Sequence, residues 1–124
     1  MVCRAYIGKI KPGKVRDYIK AHEKVWPELI DAMKKAGLKE EICFVYGNHI
    51  FIYREGADID AALEKLGRDP LSKKWEASME PLLEKPAKDL DDFFPQMREV
   101  FRMSAGSIPG RRSSAGIRQS GKVG

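Results

Sequence analysis

The stretch Gly13 to Gly37, GKVRDYIKAHEKVWPELIDAMKKAG, decides the fold. It sets Tyr18, His22 and Trp26 at four-residue spacing and follows them at once with Pro27, Glu28 and Leu29. A helix turns by roughly 100° per residue, so Val15, Tyr18, Ile19, His22, Val25 and Trp26 share one arc of about 120°. Lys14, Arg16, Asp17, Lys20, Glu23 and Lys24 fall outside it. An imidazole and a phenol therefore point with the apolar residues toward the interior. They are either a polar pair satisfied in a core or the wall of a pocket, and the spacing alone leaves both open.

The helix runs from about Gly13 to Lys24. Pro27 lacks the N–H needed to continue it but suits the first position of a new helix, so a kink is expected at Val25-Trp26. The second helix has Leu29, Ile30 and Met33 as its buried stripe. Glu28 and Asp31 lie near its start, Lys34 and Lys35 near its end, and Gly37 stops it. Upstream, Val2 to Ile10 is rich in strand formers and is broken by Lys11-Pro12-Gly13. Downstream, Ile42 to Tyr46 and His49 to Tyr53 flank Gly47-Asn48, a pair suited to a two-residue type II′ hairpin turn. Both runs are apolar at nearly every position, which predicts strands covered on both faces. Helices cover one face; a second subunit is the economical cover for the other.

Asp58 reads as the cap of a third helix with Ile59, Ala62, Leu63 and Leu66 inward and a stop at Gly67. Asp69-Pro70 starts a fourth by the same logic, with Leu71, Trp75 and Met79 on one face and Pro81 as its end. Glu84 to Gln96 reads as a long loop anchored by Phe93-Phe94, and Met97 to Met103 as a last strand. The order is strand, broken helix, strand, strand, broken helix, strand. That is an α+β, ferredoxin-like β-α-β-β-α-β antiparallel sheet with helices on one face, of the dimeric α/β-barrel type.

The 124 residues, 43% hydrophobic and 33% charged, make room for one soluble domain with one core. The net charge of +5 is misleading. Residues 104–124 carry Arg111, Arg112, Arg118, Lys122 and no acid, which leaves +1 for residues 1–103. The folded part is nearly neutral, so the basic balance does not argue for a nucleic-acid surface. The expected division is a single domain over 1–103 and a disordered Gly/Ser/Arg-rich tail over 104–124. That tail is a linker, an added remnant or a weak polyanion-binding arm, and the bland readings are favoured. No apolar run approaches the roughly 20 residues of a membrane span, and the N-terminus lacks a secretory layout. Cys3 and Cys43 lack metal-ligand spacing and read as buried free thiols in a reducing, cytoplasmic setting.

No phosphate loop, dinucleotide fingerprint, metal-ligand spacing or nucleophile elbow is present. The chemistry-bearing residues left are His22 with Tyr18, plus Trp26 and Trp75. Histidine exchanges protons near neutral pH without help, tyrosine orients a hydroxyl, and tryptophan offers a flat apolar face. His49, beside the hairpin turn, reads as a solvated strand residue.

The motif Tyr18-x3-His22-x3-Trp26-Pro27-Glu28-Leu29, then Trp75-x3-Met79, then Arg98-Glu99-Val100-Phe101, resembles the L-rhamnose mutarotase family over residues 1–103. The resemblance implies a ferredoxin-like homodimer that needs neither metal nor cofactor. It implies interconversion of the α and β anomers of a 6-deoxy hexose pyranose, with His22 as catalytic proton donor and Tyr18 and Trp75 binding the monosaccharide. Two positions depart from the family pattern. Glu41 stands where a second tyrosine is common, and Glu76 stands where the tryptophan is often doubled. Two other readings remain: a cofactor-free oxygenase or degradative enzyme of the same fold group, and a non-catalytic sugar-binding or regulatory subunit.

Overall fold

The computed structural model describes residues 1–105. The elements are β1 (Val2–Ile10), α1 (Val15–His22), α2 (Pro27–Ala36), β2 (Leu38–Tyr46), β3 (His49–Gly56), α3 (Ile59–Arg68) and α4 (Pro70–Met79). A 3-10 turn (Glu80–Leu82) and two short strands, β4 (Leu83–Glu84) and β5 (Gln96–Met97), complete them. The antiparallel sheet runs β2-β3-β1-β4, with β5 also paired to β1. This is the expected ferredoxin-like order. The expected tail, 104–124, lies outside the described residues from position 106 onward.

Punctuation residues place the helices. Pro27 opens α2 after Trp26 adopts an extended backbone at φ −58° and ψ 127°, which separates α2 from α1. Gly37 ends α2 at φ 115°, a left-handed conformation that glycine adopts without a Cβ clash. Asp58 caps α3 by accepting from the Ala61 N–H at 3.1 Å. Asp69 caps α4 by accepting from the Leu71 and Ser72 N–H groups at 2.8 and 3.1 Å. In the β2–β3 hairpin Tyr46 pairs with His49 across Gly47-Asn48. Gly47 has φ 61° and Asn48 does not share the positive sign, as a type II′ turn requires.

Strand alternation sorts the sheet into two faces. Tyr6, Ile10, Ile50 and Ile52 face the helices and meet Tyr18, Met79 and Leu83 in one core cluster. A second cluster joins Ala36, Leu38, Ile59, Ala62 and Leu66 where α2, β2 and α3 converge. On the opposite face Ile42, Phe44 and Tyr46 are exposed, Tyr46 to 81%. No helix of the described residues covers that side.

Four expectations need correction. The last strand is only Gln96–Met97, not Met97 to Met103. The edge of β1 is shared: Leu83–Glu84 takes Lys9 and Ile10, and Gln96–Met97 takes Ala5 and Tyr6. Beyond it Arg102 bonds to Glu99 and to the Cys3 sulfur in place of a ladder. Second, Ile19 and Ile30 are exposed, because α1 and α2 turn Tyr18 and Leu29 to the sheet and leave their chain neighbours outside. Third, α1 ends at His22, not Lys24, since the chain must already straighten toward Trp26. Fourth, neither cysteine is buried: both are free, Cys3 half-buried and Cys43 exposed on the edge strand.

The segment between β4 and β5 folds back on the core. Ile7 N–H donates to the Pro95 carbonyl at 3.2 Å, and Phe93 and Phe94 pack on the main cluster. The Phe94 ring lies on Gly8, where an added Cβ would overlap it. Gly8→Ala should therefore lower the unfolding free energy by about 1–3 kcal/mol in a urea titration. Adding Phe94→Ala should cost less than it does alone, because the overlap disappears; strict additivity would mean the two sites do not meet.

Candidate active site

A cleft of about 990 Å³ opens between the helix layer and the sheet. Tyr6, Cys43, Ile52 and Arg54 contribute from the strands, Tyr18 and His22 from α1, and Trp75, Glu76 and Met79 from α4. Asp92, Phe93 and Phe94 close one part of it from the β4–β5 segment. A separate groove beside Val15, Ile19 and Glu23 lies on the outer surface of α1 and holds no histidine, tyrosine or cysteine.

The three residues singled out from sequence, Tyr18, His22 and Trp75, meet in this cleft. Tyr18 and His22 lie one turn apart on α1, with ring centroids 4.3 Å apart. His22 meets the edge of Trp75 at 5.2 Å, and Trp75 meets Trp26 at 5.2 Å, both nearly perpendicular. Tyr18, His22 and Trp75 line the cleft in succession, and Trp26 braces Trp75 from outside that lining. His22 Nδ1 lies 2.8 Å from the Tyr18 carbonyl oxygen. A carbonyl only accepts, so Nδ1 carries the hydrogen and donates it. In the neutral ring this leaves Nε2 as the free acceptor. A single backbone contact thus fixes both the tautomer and the orientation of the ring.

Tyr18 is only 3% exposed, and its hydroxyl lies 3.6 Å from Cys43 Sγ. Burial first, then the Cys43 and Glu41 charges, push the phenol far above its ordinary value, while Arg54 acts weakly the other way. Tyr18 is therefore a neutral hydroxyl at any physiological pH. Cys43 is exposed as a residue, yet its sulfur sits against this buried hydroxyl. Withdrawal from water raises the thiol, the hydrogen bond with Tyr18 opposes that, and the net direction is up. It is not poised as a nucleophile.

The floor holds a feature that sequence reading missed. Arg54 Nε donates to Glu41 Oε1 at 2.7 Å, and the guanidinium stands 4.9 Å from the Tyr6 ring centroid. Burial works against the Arg54 charge, but Glu41 and Tyr6 together more than offset it and hold the group above its usual range. Glu41 and Glu76, the two departures from the family pattern, both line the cleft. A signal for Arg54 existed. It continues the Ile50, Ile52 alternation, so it had to face the helices and not the solvent. His49 is exposed, as expected. Among the described residues no three His, Cys, Asp or Glu side chains converge to hold a metal ion, and no helix is long and apolar enough to cross a membrane.

A family model described as L-rhamnose mutarotase matches residues 4–103. An L-rhamnose mutarotase of Shouchella clausii is 29% identical over 106 residues, which cover 84% of this chain and 100% of that one. Another from Rhizobium meliloti is 29% identical over 106 residues, covering 80% and 95%. Among solved structures, an L-rhamnose mutarotase from Formosa agariphila superposes with a TM-score of 0.68 at 24% identity, over 83% of this chain and 99% of that one. Tetracenomycin F2 cyclase from Streptomyces glaucescens shares the fold at a TM-score of 0.62 and 12% identity, over the same shares.

The protonated phenol has a measurable consequence. Above the ordinary tyrosine value of 10.0, unfolded chains lose the Tyr18 proton while folded ones keep it. The folded state then binds more protons, so stability must fall as pH rises past that value, by up to about 1.4 kcal/mol per pH unit for each such group. Tyr53, raised by burial and by its bond to Glu55, adds to the slope. Urea midpoints measured from pH 9 to about pH 11.5 should show the decline, and Tyr18→Phe should make it shallower.

Proposed function

The chain belongs to the L-rhamnose mutarotase family, and on that premise we propose that it interconverts the α and β anomers of L-rhamnose or a closely related 6-deoxy hexose, with His22 carrying the proton. As an enzyme it is an isomerase of the aldose 1-epimerase type. The observation that supports the catalytic assignment is the His22 ring itself. Its Nδ1 is committed to the Tyr18 carbonyl, so proton exchange is confined to Nε2, in a cleft that Tyr18 and Trp75 line beside it.

The chemistry asks for little more. Opening the pyranose requires a proton on the ring oxygen and loss of one from the anomeric hydroxyl. The C1–O5 bond then breaks and C1 becomes an aldehyde carbonyl. Rotation about C1–C2 presents the other carbonyl face, and closure returns both protons. Imidazolium at His22 donates from Nε2 to the ring oxygen while solvent water takes the anomeric proton. On closure the neutral ring takes the proton back from the O5 hydroxyl, and the hydronium so formed returns one to the carbonyl oxygen. The Nδ1–H bond to the carbonyl survives in both forms, so the ring keeps its position through the cycle. Tyr18, held neutral, donates or accepts a hydrogen bond without competing for the proton. Trp75 supplies the apolar face on which a pyranose stacks.

The exposed apolar face of the sheet supports a homodimer. Phe44, exposed to 55%, and Tyr46 present aromatic surface on a strand edge that a single chain leaves in water. In this reading residues 1–103 are one domain, and two free thiols fit a cytoplasmic location.

Replacing His22 with Asn keeps a polar shape and removes the titrating nitrogen. Anomer exchange of L-rhamnose, followed by saturation transfer and normalised to folded protein, should fall by roughly 10²–10⁴-fold. A normal rate in a well-folded variant would end the assignment. Independently, light scattering on a chain ending at Met103 should return twice the chain mass, and Phe44→Asp should shift it toward one. A stable, fully active monomer would contradict the dimer.

A further inference from the structure

The proposed reaction leaves the ion pair on the cleft floor without a task. Arg54 and Glu41 are joined at 2.7 Å, with side chains exposed to only 23% and 25%. Both line the same cleft as Tyr18 and His22, and the charges of both act on the Tyr18 phenol. An arginine beside an aromatic ring in a ligand cleft is ordinarily an anion receptor. Its planar fork of N–H donors matches a carboxylate or phosphate. Here Nε is committed to Glu41, which neutralises the charge in place. Elsewhere the lining carries Glu40, Glu76, Glu80 and Asp92 against Lys34 and Lys39, a net negative balance.

We infer that the Arg54–Glu41 pair determines which aldoses the cleft accepts, admitting hydroxyl-bearing neutral sugars and excluding those that carry a carboxylate. The inference rests on the reading of the cleft as an aldose site. A hydroxyl group donates to the Glu41 carboxylate, or accepts from the remaining Arg54 N–H groups, without parting the pair. A uronate meets the opposite situation. Its carboxylate must displace Glu41 from the guanidinium and then lie beside it, two like charges in a partly desolvated cleft. Glu41 thus acts as a built-in occupant of the site that Arg54 would otherwise offer to an anion.

The test compares L-rhamnose with L-mannuronate, which carries a carboxylate in place of the methyl group, by saturation-transfer binding on folded protein. Wild type should bind the uronate at least about tenfold more weakly than L-rhamnose. Glu41→Gln removes one charge at nearly constant shape. It should raise uronate affinity about tenfold and lower that for L-rhamnose. In the double variant Glu41→Gln, Arg54→Met the uronate gain should vanish. A uronate-to-rhamnose ratio unchanged by Glu41→Gln would overturn the inference. So would a gain that persists without Arg54, since it would then come from the general field of the cleft. Binding is read without turnover, so the two failures are distinct. L-rhamnose that binds wild type without exchanging anomers refutes the mutarotase reading alone, whereas intact exchange with an unchanged ratio refutes the role of the pair alone.

Discussion

Tyr18 joins the core to the cleft. Its ring is buried among Tyr6, Ile10, Ile52 and Met79, and its hydroxyl is the point where that core meets Cys43 and the charged floor. Its backbone carbonyl holds the His22 ring. One residue thus fixes the depth of α1 over the sheet, the tautomer of the histidine and the polarity of the inner wall. The dependence runs in a definite direction. Apolar burial of the ring positions α1, and the histidine geometry follows from that position, because its anchor belongs to the same helical turn. A side chain held by the helix that carries it needs no contribution from a distant loop to stay oriented.

The features legible in the sequence were those whose causes are local. Pro27 cannot continue a helix wherever it sits, Asp69-Pro70 caps and starts one, and Gly47 accepts a positive φ at a two-residue turn. Helix breaks, hairpin and strand order therefore followed from short stretches. The meeting of Tyr18, His22 and Trp75 was only half legible. The first two share a helix face by spacing, but the arrival of Trp75 depends on how α4 packs. What stayed hidden was decided by pairing at long range. Nothing in Gln96 to Met103 reveals that the chain leaves the β1 edge after the Ala5–Met97 pair, short of Arg4, Cys3 and Val2, so the alternation there suggested a longer strand than forms. Ile19 and Ile30 misled for a related reason. A helix on an open layer turns a narrower stripe inward than its apolar count suggests, and the excess remains in water. Arg54 went unnoticed because the strand was read to end at Tyr53, whereas β3 runs on to Gly56 and its register turns Arg54 inward.

One departure from the family pattern, Glu41, acquires a physical meaning once the cleft is built. Glu41 is not a solvated carboxylate at a strand start, since it is joined to Arg54 under the aromatic wall. The exchange of an aromatic surface for an ion pair changes what the floor offers a ligand. Planar apolar contact gives way to directional hydrogen bonding. The aromatic residues of α1 and α4 face this pair from the helix layer, so the cleft sets rings on one side against charge on the other.

The bulge at Lys39 bears on a different property, the behaviour of the molecule when crowded by copies of itself. β2 is the outer strand of the sheet, and its free backbone groups form a template for another extended chain. The register of β2 against β3 shifts between Leu38 and Glu40, which twists that end of the strand, and three charged residues, Lys39, Glu40 and Glu41, stand beside the shift. Both devices discourage strand addition. They protect only the first half of β2. Ile42 to Tyr46, ICFVY, carries neither charge nor proline and forms the segment from which intermolecular cross-β stacking would nucleate during refolding at high concentration.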